Sequence, residues 1–188
     1  IDAQQAFTGG GNVKYYQNDF ENGYLEIETN IPSLYVSRSY HSELFDFDGD
    51  GILDLILGGH EWEEEWMSSA NGTVQWRTHI LKGLGSGQFD IENPFFLPSI
   101  ENWGVITDFD MYDIDNDGNT EIIITRTTGK DGVSSAGPMQ GQYYDGHKVQ
   151  ILKNDGVDWI NWKILEQPSE IFDNPNIHIT WAHSTKIY

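Results

Sequence analysis

Apolar residues along this chain come in short runs and alternations, and none repeats at the spacing of a helical stripe. "LDLILGG" (residues 53–59) and "EIIITRT" (residues 121–127) are rich in Leu, Ile and Thr and read as buried strands. "SYHSELF" (residues 39–45) and "TDFDMY" (residues 107–112) precede them as further strands. "LKGLGSGQF" (residues 81–89) and "LKNDGVDW" (residues 152–159) each read as strand, Gly/Asn/Asp turn, and an aromatic residue opening the next strand. "YYQNDFENGYLEIE" (residues 15–28) has the same form earlier in the chain.

These pieces recur in one order. "DFDGDGILDLILGG" lies 67 residues before "DIDNDGNTEIIITR", with Asp46, Asp48, Asp50, Gly51 and Asp54 over Asp113, Asp115, Asp117, Gly118 and Glu121. The unit is strand, acidic loop, strand, variable stretch, strand, glycine turn, strand. Four strands in meander order, repeated, predict an all-β fold of β-propeller blades, each a four-stranded antiparallel sheet. The expected divisions are a half-blade over about 12–30, blades over about 34–98 and 103–168, and a half-blade over about 176–188. Residues 61–71 and 127–143 fall between second and third strands as insertions. About two and a half repeats are too few for a closed ring of 4–8 blades. The segment is therefore expected to belong to a larger propeller, or to one completed by a homo-oligomer. A β-sandwich with two similar hairpins is the alternative.

Charge sharpens the picture. Ten Lys and Arg stand against 30 Asp and Glu, a formal net charge of −20. Such a chain repels phosphate backbones and anionic membranes, which excludes nucleic acid as a partner, and divalent cations are its natural counter-charge. No apolar run reaches the length of a bilayer span, so membrane insertion is not expected. The absence of cysteine excludes disulfides and thiolate metal sites. The chain opens on Ile1 in place of Met, which fits a processed or partial chain; export to a periplasmic, cell-surface or extracellular location is the expectation.

The acidic loops have the chemistry of a calcium cage. Ca²⁺ takes six to eight oxygens, and alternate residues of a tight turn aim their carboxylates at one centre. Asp46, Asp48 and Asp50, the carbonyl of Ile52, and Asp54 form the first candidate set. Asp113, Asp115, Asp117, the carbonyl of Asn119, and Glu121 form the second. The two loops predict two Ca²⁺ ions serving as structural staples. Glu121 is one methylene longer than the aspartate it replaces, so its loop is expected to widen or to hold the ion bidentately.

The nine-residue loops with "LDLILGG", and the "GLGSGQF" turn, resemble the FG-GAP/VCBS repeat of integrin α-chain propellers and many secreted bacterial proteins. The resemblance implies a Ca²⁺-stapled propeller, with functions ranging over adhesion, sugar binding and scaffolding, and the same ten residues as ligands. Glu121 departs from the family's closing Asp, and the "FG…GAP" residues are poorly kept, with "LGG" (residues 57–59) the nearest trace.

Two complete metal loops without a catalytic constellation point to a non-enzymatic binding or adhesion module for a glycan or protein ligand. The alternative is a polysaccharide lyase or hydrolase, or the propeller part of one. His41, His60 and Glu61 would then meet near its mouth, with His183 in a place matching His41. In "EWEEEW" (residues 61–66) carboxylates flanked by tryptophans fit sugar chemistry, or equally a solvated acidic loop. The alternation in "DWINWKIL" (residues 158–165) assigns at least one of Trp159 and Trp162 to the core.

Overall fold

The computed structural model describes residues 2–3, 13–31, 39–59, 61, 77–101, 103–127 and 148–166. Among the described residues all regular structure is β, in small antiparallel sheets, none of them closed. The predicted half-blade over 176–188 and most of both insertions lie outside the described residues.

β1 (Asp2–Ala3), β2 (Val13–Asp19) and β3 (Gly23–Glu28) make the first sheet, in that order. The second contains β4 (Ser39–Phe45), β5 (Asp54–Gly59), β6 (His79–Leu81) and β9 (Phe95–Phe96). Between its last two strands, β7 (Gly83–Gly85) and β8 (Gln88–Phe89) form a separate short ladder. β10 (Val105–Tyr112), β11 (Glu121–Thr127), β12 (Lys148–Asn154) and β13 (Trp159–Glu166) form the third sheet, a four-stranded meander in chain order.

The third sheet is the four-strand unit read from the repeat. The second departs from it in its last strand. Asp90 still donates its N–H to the Lys82 carbonyl at 2.8 Å, but its carboxylate accepts from the N–H groups of Glu92 and Asn93, both at 3.2 Å, and so closes a local turn. Pro94, which follows, has no N–H to donate. The strand that Phe89 was expected to open is thus broken into β8 and β9, and pairing resumes at Phe95 with Ile80.

β5 is buried along its whole length because apolar side chains pack on its two faces, and β11, also buried throughout, sends Ile122 and Ile124 into the core. Ile56 and Ile80 of the second sheet, with Leu97 just past β9, join Ile106, Phe109, Ile122, Ile124, Leu152 and Trp159 of the third in one cluster. Leu55, Leu57 and Leu81, on the other face of the second sheet, pack with Phe89 and Ile31. Each fully buried aliphatic side chain of this kind contributes about 1.5–3 kcal/mol. Asn30 ties the segment after β3 to β8: its side chain donates to the Phe89 carbonyl at 2.7 Å and accepts from the Phe89 N–H at 2.9 Å. Gly58 permits the close approach of second and third sheets, since a Cβ there would fall inside the Phe109 ring and against Thr78. Trp159 is core, as the alternation required; Trp162 lies near the surface beneath Lys153 and Lys163.

Candidate metal centres and a buried ion pair

Each acidic loop joins the first strand of a sheet to its second, β4 to β5 and β10 to β11. The chain reverses through left-handed residues at matching steps, Gly49 and Gly51 in one loop and Asn116 and Gly118 in the other. Asparagine tolerates this region where other side chains do not, so Asn116 (φ 58°) serves where the first loop has Gly49 (φ 74°).

The first aspartate organises each turn. Asp46 accepts from the N–H groups of Gly49, Asp50 and Gly51 at 2.7, 3.1 and 2.9 Å. Asp113 accepts from those of Asp117 and Gly118 at 3.1 and 3.0 Å. Asp50 and Asp117 hold the N–H groups of Ile52 and Asn119, each at 2.8 Å. The peptide planes entering the two predicted carbonyl ligands, Gly51–Ile52 and Gly118–Asn119, are therefore fixed alike.

Carboxylates do converge, with different membership in the two loops. Oxygens of Asp46, Asp48 and Asp50 lie within 4.8 Å of one another, and so do those of Asp113, Asp115 and Glu121. Asp54 is buried and spends both oxygens on N–H groups, Phe47 at 2.9 Å and Gly83 at 2.7 Å. Burial pushes the Asp54 carboxyl upward, against the pull of those two donors. Glu121, at the equivalent step, is 0 % exposed and gives only Oε2 to an N–H, that of Ile114 at 2.8 Å. Its Oε1 is buried without a hydrogen-bond partner. The extra methylene thus carries the Glu121 carboxylate to Asp113 and Asp115, with the Lys153 ammonium 3.8 Å from Oε1. A buried carboxylate oxygen in that position is costly unless paired. All-oxygen donors of this density suit a hard ion such as Ca²⁺.

Lysines were not anticipated here. Lys82 forms ion pairs with Asp48 and, at 3.0 Å, with Asp50. Lys153 reaches Asp115 at 2.5 Å, Asp117 at 2.6 Å and Glu121 at 3.8 Å. These contacts raise both ammonium groups above the ordinary lysine value. Asp50 is held low first by the Ile52 N–H and then by Lys82; Asp117 is held low first by Lys153. The signal was present in the parallel "LKG" and "LKN" of a chain with few basic residues. A cleft of about 720 Å³ opens between the loops, lined by residues including Asp48, Asp117, Asn119, Lys153 and Trp159.

The residues of the hydrolytic alternative fare differently. Glu61 is buried and engaged in an ion pair with Arg126, whose side chain is 0 % exposed. All five guanidinium donors have acceptors. Nη1 donates to Glu61 at 2.8 Å and the Trp103 carbonyl at 3.0 Å. Nη2 donates to Glu61 at 3.2 Å and the Pro98 carbonyl at 3.3 Å, and Nε to Gln150 at 2.7 Å. Thr78 donates to Glu61 through its hydroxyl at 2.5 Å and its N–H at 3.3 Å. Neither the solvated loop nor the sugar-facing carboxylate describes Glu61; it is a pin between sheets. His41 is half-buried, which lowers its pKa against the opposing charge of Asp108. Glu43 is pushed up by burial and then by Asp108 and Asp110 across from it. His60 and His183 lie outside the described residues.

No family model, curated protein or solved structure matches the chain.

Proposed function

We propose that the chain is a segment of a calcium-stapled β-propeller of FG-GAP/VCBS type. It acts as an exported, non-enzymatic binding module that presents its loops to a glycan or protein ligand. The observation that carries the calcium reading is the convergence of Asp113, Asp115 and the buried Glu121, whose Oε1 has no hydrogen-bond partner and faces the Lys153 ammonium at 3.8 Å. Glu61's commitment to Arg126 removes one residue from the hydrolytic alternative and favours binding over catalysis. The cleft between the two loops is the ligand surface this reading assigns, with Asn119 as a polar contact beside Trp159. The meander of the third sheet supports the blade, and the unclosed sheets agree with completion by further blades or a second copy.

Ca²⁺ supplies the counter-charge that lets each loop close. At a Kd of ~10⁻⁴ M and ~10 mM free calcium, one ion stabilises the fold by about 2.7 kcal/mol. For a domain of this size that moves the thermal midpoint by roughly 5–10 °C. Unfolding followed with 10 mM CaCl₂ and with excess EDTA tests the staple, and an unchanged midpoint removes it. Glycan-array binding, repeated with Asn119→Ala, tests the ligand surface; no binding at any protein concentration leaves only an architectural role.

A further inference from the structure

We propose that Lys153 is a tethered counter-cation of the second acidic loop, one that a divalent ion must displace to bind, and that Lys82 serves the first loop in the same way. The proposal rests on the calcium reading above.

Lys82 and Lys153 each follow the second of two apolar residues, Ile80–Leu81 and Ile151–Leu152, and each faces the acidic loop of its own sheet. Both ammonium groups touch two aspartates of the D-x-D-x-D set. Each lysine pairs with two members of the trio that would hold the ion, Lys82 with Asp48 and Asp50, Lys153 with Asp115 and Glu121. Lys153 also reaches a third carboxylate, Asp117. The Lys153 side chain is 22 % exposed against 50 % for Lys82, so its charge is the less screened.

An ammonium and a divalent ion cannot both keep full contact with the same carboxylates, since their repulsion is strong wherever solvent is partly excluded. Lysine is suited to yielding. It is a compact charge on a flexible four-carbon stem, and its donors are not locked into a planar fork. The Trp162 ring, 5.4 Å from the Lys153 ammonium, already carries Lys163 at 4.3 Å, so the open direction is toward solvent. Without calcium the lysine quiets the repulsion among carboxylates; with calcium it moves into solvent. Calcium affinity is then set by how firmly the lysine holds, and the second loop is the more strongly restrained.

Calorimetric titration of the full chain with CaCl₂ alone, on wild type, Lys153→Met and Lys82→Met, tests this. Lys153→Met is expected to tighten calcium binding roughly five- to tenfold, while lowering the thermal midpoint in EDTA. Lys82→Met is expected to do both to a smaller extent. A variant that binds calcium no more tightly than wild type overturns the proposal and makes the lysine an outer partner of the loaded site. Absence of binding from all three proteins overturns the calcium reading and the proposal together. Acetylation of the wild type, read by mass spectrometry, needs no variant to fold. Lys153 must become more reactive when CaCl₂ is added, and unchanged or lower reactivity overturns the displacement.

Discussion

Replacing Glu61 by alanine is expected to be among the most damaging single changes in this chain. Glu61 is 7 % exposed and Arg126 0 %, so the substitution leaves a guanidinium inside the protein without its carboxylate. It keeps hydrogen bonds to Gln150 and to the carbonyls of Trp103 and Pro98, none of which carries charge. Breaking a buried pair from one side costs about 3–5 kcal/mol, and Thr78 loses an acceptor for two donors as well. Against a net stability of about 5–15 kcal/mol for a domain, that is a third or more of what holds the fold. Adding Arg126→Met to Glu61→Ala removes the stranded charge. The double variant is therefore expected to be more stable than Glu61→Ala alone, although it has lost more hydrogen bonds. Equilibrium urea unfolding, followed by tryptophan fluorescence and circular dichroism at one fixed calcium concentration, measures all three proteins on one scale. A Glu61→Ala variant within about 0.5 kcal/mol of wild type, or a second substitution whose cost simply adds, would falsify the role given to this pair.

Gly58→Ala places a methyl group where the Phe109 ring sits, so overpacking is expected to cost about 1–3 kcal/mol in the same assay. At Asn116, glycine is expected to be tolerated and alanine to cost about 1 kcal/mol, because φ is 58° there; equal midpoints for the two variants would contradict the turn geometry. Burial lowers His41 below the ordinary histidine value. The unfolded chain therefore takes up this proton first on acidification. The contribution of His41 is present above pH ~6.5 and lost as pH falls through its lower folded value. His41→Gln should flatten the slope of stability against pH below ~6.5, and an unchanged slope would show that His41 does not supply it.

Much of the strand order was legible because this chain punctuates itself. Acidic glycine loops stop each first strand at Phe45 and Tyr112, and "SYHSELF" and "EIIITRT" are β4 and β11 residue for residue. The broken last strand of the second sheet was not legible. Whether Asp90 closes a local turn or lets the strand run on depends on neighbours that a pattern of apolar positions does not contain. The surroundings of the closing carboxylate were not legible either: Asp54 accepts the N–H groups of Phe47 and Gly83, while Glu121 accepts only that of Ile114 and turns Oε1 toward Lys153. The carboxylate that pairs with the arginine inside "EIIITRT" stands 65 residues away, a separation that only the packed sheets resolve. The lysines were visible as letters; their aim at the loops follows from the register of the third strands.

The pin at Glu61 bears on what this protein can become. The chain leaves the second sheet at Glu61 and returns at Arg77 and Thr78, and Glu61 is hydrogen-bonded to Thr78 itself. Both ends of the excursion over residues 62–76 are thus moored to one point. By loop-closure entropy, doubling the number of residues between two fixed ends costs only about 0.6 kcal/mol. Evolution, or an engineer, can therefore exchange that segment wholesale, much as a tool is changed in a chuck, while the grip stays the same.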